Sequence, residues 1–438
     1  MKSRKQDQVS RRGFLKAALA AGIAPQFVPS HVLGLGGTTS PSNKITLGIL
    51  GAGSRGFQDM VNFLGLEDVR ITTVCDVNQR NIEKARNRIS EVYGSADVKA
   101  VSDFRELNAD SSVDAILMAL PVHWHSIPSL DAIAHGKHIF HEKPMALSFA
   151  EAKQVRNAVH KKGVVFQFGT QQRSELKFRW ACELALNGRL GKLKEIQVAV
   201  PGGLQAETFP KQPLPDFVDW ERWMGPAPAT DFHEKKLTRP IHENMTNFSL
   251  GMISCWGIHH LDIAQWVTSQ YAKGPSSVEG TGTFPESGSC DSILNWNVEF
   301  KYDQGPPITF VGPPKDGKHG LRFIGEEGSL FVTRGSLEAD LDLQRDPQNK
   351  VGSMPIKLPV STNHAGNFIE AIRNDTRAIC DIETAIQSDV LCQMALIAVK
   401  QGRKLKWDSK KEHFKNDAGA NALLEPREIR GNWRLPKV

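Results

Sequence analysis

Three clusters of residues in this 438-residue chain have types and spacings suited to chemistry. The first is Gly51-Ala52-Gly53-Ser54-Arg55-Gly56, which follows the apolar run Ile45–Leu50 directly. In a turn between strand and helix, Gly51 would allow the tight bend, Gly53 would let the backbone approach a pyrophosphate, and Gly56 would let the helix pack on its strand. The phosphates would rest on the free N–H groups and positive end of that helix, with Ala52, Ser54 and Arg55 lining the loop. Asp76 closes a second apolar run, Ile71-Thr-Thr-Val-Cys-Asp76, about twenty residues on. A carboxylate there accepts from ribose hydroxyls and repels a 2′-phosphate, which favours NAD over NADP. Asp76 would serve equally as a helix N-cap, and the two roles are compatible.

The second cluster is Glu142-Lys143-Pro144, after the short run that begins at His138. Pro144 stiffens the chain just beyond the charged pair. Alone, the tripeptide reads as a solvated turn. Behind a glycine loop and at the end of a fifth strand, it places Lys143 beside a nicotinamide, where an ammonium orients a substrate hydroxyl and stabilises developing alkoxide charge. The third is Gly257-Ile-His259-His260-Leu-Asp262-Ile-Ala-Gln-Trp266. His259 and Asp262 share a helix face at i, i+3, while His260 points about 100° away. Zinc would need both histidines on one face, so no metal is assigned. A neutral histidine suits proton transfer, but a structural polar cluster at a helix start fits the spacing as well. Beyond Leu120, His123 and His125 flank Trp124; one is expected to touch the cofactor and the other to cap the helix from Ser126. Trp223, in Trp220-Glu-Arg-Trp223, is placed to stack on a sugar ring or simply to fill core.

The elements that must position these groups follow from periodicity. Between residues 44 and 169, apolar runs at Ile45–Leu50, Val69–Cys75, Val98–Val101, Val113–Leu120, His138–Phe140 and Val164–Phe168 alternate with amphipathic segments. That is a six-stranded, doubly wound parallel sheet, whose ligands bind at the carboxyl ends of the strands. Asp76, the segment 121–125, Glu142-Lys143 and Arg173 all fall at such ends. From 170 to 411 the texture becomes β-rich with Gly/Pro turns, which predicts an α/β domain on an antiparallel sheet, with strands near 194–200, 292–302, 308–311, 320–324, 329–332 and 337–343. Closing helices are expected at His364–Arg373 and Ala385–Lys400, and residues 412–438 read as a polar C-terminal arm.

Composition narrows the class. With 40% hydrophobic and 23% charged residues the chain is of ordinary globular make-up, and a net charge of +6 spread among acids excludes a nucleic-acid stripe. Ser10-Arg-Arg-Gly-Phe-Leu-Lys16 followed by Ala17–Ala24 is a twin-arginine export pattern, too short in its apolar part to span a bilayer. Residues 1–43 are therefore signal and linker, and the protein is expected outside the cytoplasm without a membrane span in its mature form. Its six cysteines lack framework spacing; folding before export predicts free thiols.

The glycine loop, Glu142-Lys143-Pro144, Trp220-Glu-Arg-Trp223 with Gly225-Pro226, and Gly257–Trp266 together resemble the Gfo/Idh/MocA oxidoreductases, over nearly all of residues 44–403. The resemblance implies an N-terminal Rossmann domain, a C-terminal α/β domain with a large open, mostly antiparallel sheet, and a homodimer or homotetramer. It implies NAD(P)-dependent oxidation of a sugar, polyol or derivative, with Lys143 as catalytic lysine and His259 as acid/base. It places Gly51, Gly53, Gly56 and Asp76 on the cofactor, Glu142 beside the nicotinamide, and Arg173 where a substrate- or cofactor-contacting arginine often occurs. One position departs: the family usually has an aspartate four residues before the histidine, and Cys255 stands there, so either Asp262 or the substrate supplies the charge or the activity is altered or weak. The alternatives are glycoside cleavage by transient oxidation and elimination, and non-catalytic binding.

Overall fold

The computed structural model describes residues 43–438 except 96, 341, 342 and 344–346; the twin-arginine pattern and its linker lie outside the described residues. The first sheet holds six parallel strands: β1 (Ile45–Leu50), β2 (Val69–Cys75), β3 (Lys99–Val101), β4 (Ala115–Met118), β5 (His138–His141) and β6 (Phe166–Phe168). They lie in the order β3-β2-β1-β4-β5-β6. The order reverses between β1 and β4, so the loops leaving those two strands diverge and open a crevice at their carboxyl ends. The connecting helices are α1 (Ser54–Leu64), α2 (Gln79–Tyr93), α3 (Phe104–Asn108), α4 (Ser126–Ala134) and α5 (Phe149–Lys162). Local chemistry marks their ends: Asn78 caps α2 by accepting from Arg80 N at 3.0 Å, and Ser148 caps α5 by accepting from Glu151 N at 3.2 Å. Every strand and crossover expected in this region forms, although β4 is shorter than the apolar run around it because Val113 and Leu120 fall in loops.

After α6 (Leu176–Leu186), β7 (Leu193–Ala199) opens a second sheet. The proline- and aromatic-rich stretch that follows carries α7 (Trp220–Met224) and α8 (Arg239–His242), then α9 (Met252–Cys255) and α10 (Gly257–Thr268). The sheet is completed by β8 (Ser277–Thr283), β9 (Asn295–Lys301), β10 (Ile308–Gly312), β11 (Gly320–Gly325), β12 (Ser329–Thr333) and β13 (Ser336–Ala339). The chain then forms α11 (His364–Asn374), α12 (Ile382–Gln401), β14 (Leu405–Asp408), β15 (His413–Phe414) and the short α13 (Ala418–Ala422). Among the described residues the sheet's nine strands run β13-β12-β11-β7-β10-β9-β8-β14-β15, with β7 and β10 paired in parallel and the other neighbours antiparallel. β8 was not expected from its glycine-broken sequence. It pairs with β9 along its whole length, and its glycines admit the neighbouring backbone where side chains would collide.

Two helices join the layers. α11 returns to the first sheet, where Phe368 meets Phe63 and Phe140 with ring centroids 6.2 and 5.9 Å apart. α12 is long and apolar enough to cross a membrane, but it is apolar all round because it is a core helix, 83% buried over its most apolar stretch and packed on α5, α10 and β8. Inside it, Asp389 Oδ1 accepts from Met145 N at 3.1 Å, tying the helix to the segment just after Lys143-Pro144. Burial raises the Asp389 carboxyl to about 7, above what its donors Gln393 and Met145 recover.

The unfolded chain loses that proton near the ordinary value of about 4. Asp389 therefore costs nothing below that pH, erodes stability as pH rises toward 7, and costs its full amount above. Asp389→Asn keeps an acceptor for Met145 N and removes the charge. Melting curves are expected to show the variant gaining on the wild type between pH 5 and pH 8; parallel pH profiles would contradict a protonated Asp389.

Candidate active site

The crevice at the switch point is an open cleft with about 1260 Å³ of atom-free space. Its floor is the glycine turn. Gly51 has φ +87° and donates to Cys75 O at 2.8 Å, and a side chain there would strike the Ala119 carbonyl. Gly53 is different: a Cβ built on it meets nothing closer than Asn81 Nδ2 at 3.9 Å, so the missing side chain leaves room in the cleft itself. No side chain caps the start of α1 and its first turn carries no acid, leaving its N–H groups for an anion. Asp76 binds the turn from behind. Its Oδ2 accepts from Ala52 N at 2.8 Å and Asn81 Nδ2 at 3.2 Å, and its Oδ1 from Asn78 N at 2.8 Å. Asn78, not Asp76, caps the following helix. Asp76 itself lines the cleft, where a ribose hydroxyl can meet its carboxylate. A pyrophosphate cradle beside a half-buried acid fits a dinucleotide.

At the other end of the cleft stand Glu142 and Lys143, directly after β5, with the Lys143–Pro144 bond cis. Glu142 Oε1 accepts from Arg55 Nε at 3.0 Å and Gln171 Nε2 at 2.8 Å, and Arg55 reaches Asp59 at 2.7 Å on its other side. Burial pushes against ionisation of both acids. For Glu142, Arg55 and Lys143 outweigh it and hold the carboxyl below its ordinary range; Asp59, facing Glu142 as well, is driven well above it. The Lys143 ammonium donates to the carbonyl of Cys255 at 2.9 Å and lies 3.7 Å from Glu243 Oε1. Glu243 is in turn held by Arg239 at 2.9 Å. Burial opposes its charge, but Lys143 and Arg239 keep it below the ordinary carboxylate range.

Cys255 is buried, its thiol 3.1 Å from Ser249 Oγ and pushed up to about 12 by burial and then by Glu243. Only its backbone oxygen reaches Lys143. His259 lies one turn beyond, at the start of α10, with Nδ1 buried and without a hydrogen-bond partner. Burial first, then the positive charges of Lys143 and Arg334, hold its imidazole well below its ordinary pKa, so it is neutral. It packs edge-on to Trp256 at 5.7 Å.

Of the other residues expected at the site, Gly51, Gly53, Ser54, Arg55, Leu120 and Trp223 line the cleft. Ala52 and Gly56 lie beneath it, Gly56 against the Gly51 carbonyl. The expectation for His123 and His125 needs correction. Neither lines the cleft: His123 Nε2 meets the Trp223 carbonyl at 2.9 Å, and His125 bridges the carbonyls of Leu120 (2.8 Å) and Pro144 (2.5 Å), so both brace loops. His125 makes no side-chain cap to α4. His260 is likewise internal, Nδ1 3.2 Å from Gln172 Oε1. Arg173 and Asp262 close on each other through bonds of 2.9 and 2.8 Å, with Ser388 Oγ adding a third to Asp262 at 2.7 Å. Asp262 thus has no charge to lend to Lys143; Glu243, which nothing in the local sequence singles out, stands there.

Residues 45–170 match the description "oxidoreductase family, NAD-binding Rossmann fold", and residues 202–435 match that family's C-terminal alpha/beta domain. An uncharacterized oxidoreductase of Bacillus subtilis (strain 168), YrbE, is 24% identical over 304 residues, 68% of this chain and 74% of the relative. An alpha-N-acetylgalactosaminidase of Shewanella oneidensis is 29% identical over 171 residues, which span only 34% of this chain and 36% of that protein. Among solved structures, the WlbA dehydrogenase from Chromobacterium violaceum in complex with NADH and UDP-GlcNAcA shares the fold, with a TM-score of 0.64 at 16% identity over 85% of this chain and 98% of that one.

The Arg173–Asp262 pair fixes α10, and with it His259, against the loop after β6. Removing one member leaves a buried charge, a loss of about 3–5 kcal/mol. Arg173→Ala is expected to lower the melting temperature markedly, and Arg173→Met with Asp262→Leu to restore most of it. A single variant as stable as the wild type would show that water reaches this pair.

Proposed function

The chain belongs to the Gfo/Idh/MocA oxidoreductase family and binds NAD, and we propose that it oxidises or reduces a secondary hydroxyl of a sugar, polyol or sugar derivative. The observation that carries this reading is the buried ammonium of Lys143, held between the Cys255 carbonyl and Glu243 at one end of a dinucleotide cleft, with neutral His259 one helical turn away. Sugar chemistry is supported by the relatives, which include an alpha-N-acetylgalactosaminidase and a dehydrogenase solved with a UDP-sugar.

NAD supplies the hydride acceptor or donor. Lys143 orients the substrate oxygen and stabilises the charge that develops on it as the hydrogen leaves carbon. His259, whose imidazole is neutral, takes the hydroxyl proton. Glu243 keeps the ammonium in place and balances its charge before substrate arrives. Glu142, fixed by Arg55 and Gln171, gives the nicotinamide end a negative charge that suits its oxidised, cationic ring. Export with the cofactor aboard belongs to the same reading; it is supported by Arg11-Arg12 and by six buried thiols free of disulfides.

The galactosaminidase similarity favours a second reading of the same groups. Transient oxidation of a ring carbon acidifies the neighbouring C–H, a glycosidic substituent is eliminated, water adds, and the ring carbon is reduced again. The products separate the two: a ketosugar with reduced NAD in the first, a released aglycone with no net redox change in the second.

Three substitutions test the assignment by steady-state kinetics on whichever sugar of a panel turns over. Lys143→Ala is expected to cut kcat by about 10²–10³, the range for losing one stabilising donor. Glu243→Gln is expected to cost about tenfold, as one charge contact is weakened. Cys255→Ala, which leaves the backbone carbonyl in place, should change kcat by less than about threefold at an energy well under 1 kcal/mol. Full activity in Lys143→Ala would overturn the reading, and no turnover or product across the panel with NAD bound would favour a binding protein.

A further inference from the structure

The C-terminal arm does more than close the fold. Its path is pinned at three places: Leu424 O accepts from Ala150 N at 2.9 Å at the start of α5, and Val438 O accepts from Lys161 Nζ at 3.1 Å near that helix's end. Between them Arg430 N donates to Pro226 O at 3.0 Å, and the Arg430 guanidinium to the carbonyls of Gly225 (3.1 Å) and Ala227 (2.8 Å) and to the Glu221 carboxylate. Three residues past Arg430, Trp433 forms part of the wall of the dinucleotide cleft. Its ring stands 4.7 Å from Trp124 at 84° and 6.3 Å from Phe104, with the Arg105 guanidinium 5.4 Å from its centroid.

This aromatic group sits at the end of the cleft that Asp76 marks. Asp76 N donates to Val101 O at 3.3 Å, and Phe104 and Arg105 follow that residue within one turn, lining the cleft with Trp124 and Pro128. In a cofactor whose ribose meets Asp76 and whose pyrophosphate lies at Gly53, the group beyond that ribose is the adenine. A planar, weakly polar ring is what aromatic and aliphatic walls accept best. We infer that the C-terminal arm is the adenine-side wall of the NAD site: Trp433 encloses the adenine with Trp124 and Phe104. The inference rests on the NAD site alone and not on the reaction proposed above, so the two fail separately.

The test is binding, read by titration calorimetry and stopped-flow displacement on the full chain. Trp433→Ala is expected to weaken NAD and ADP-ribose by about tenfold or more, mainly through faster dissociation, the range for losing one stacking partner. Nicotinamide mononucleotide, which lacks the adenosine, should bind the variant and the wild type equally. Trp433→Phe, which retains an aromatic face, should hold NAD within about threefold of the wild type, a small loss on this scale. NAD affinity and dissociation unchanged in Trp433→Ala would overturn the inference. So would an equal loss for nicotinamide mononucleotide, which would mark a general disturbance of the cleft.

Discussion

The arrangement depends on keeping one ammonium charged out of water. Lys143 is only 7% exposed, and a buried cation survives only when hydrogen-bonded and paired. Its partners come from distant parts of the chain: the Cys255 carbonyl from α9, and Glu243 from the loop after α8. Glu243 needs Arg239 in turn, and next door Glu142 needs Arg55, which also serves Asp59. The result is an alternation of charges from three segments, each of which offsets the burial of its neighbour. Such a site is organised before substrate enters, which is the condition for donors to act on a transition state without first reorganising.

The two sheets serve that constraint differently. The parallel sheet brings the glycine turn, Asp76 and Glu142-Lys143 to one edge because all three follow strand carboxyl ends near the point where strand order reverses. The second sheet carries no residue of the cleft. It backs α10 and, through α12, the segment after Pro144, so that His259 and Lys143 are set by the same buried layer. Asp389 reaching Met145 and Asp262 reaching Arg173 are the polar fixings of that layer.

What could be read in the sequence was what is local. The glycine turn, Asp76 and Glu142-Lys143 each sit at the end of an apolar run, and the run itself dictates where the strand stops, so the parallel sheet and its active edge followed from pattern alone. β8 escaped because Gly280 and Gly282 erase the alternation that marks a strand, although its partner β9 needs those glycines for close approach. Histidines were the weak point. His123, His125 and His260 have the residue type of a site but the partners of a core, carbonyls and a glutamine up to 100 residues away in the chain, and type cannot tell the two apart. Glu243 and Trp433 failed in the opposite way: both lie in segments without periodicity, and each acquires its place only through a contact between residues about 100 or more positions apart in Glu243's case and some 300 in Trp433's.

The central claim is that this cleft holds NAD and exchanges hydride with a carbohydrate carbon beside Lys143. The absorbance spectrum of the purified protein, recorded before and after adding a panel of sugars and polyols with NAD present, tests it most directly. The account predicts a band at about 340 nm, from reduced nicotinamide, that rises with at least one of them and does not rise in the absence of sugar. A protein that neither retains nor takes up a dinucleotide would contradict it.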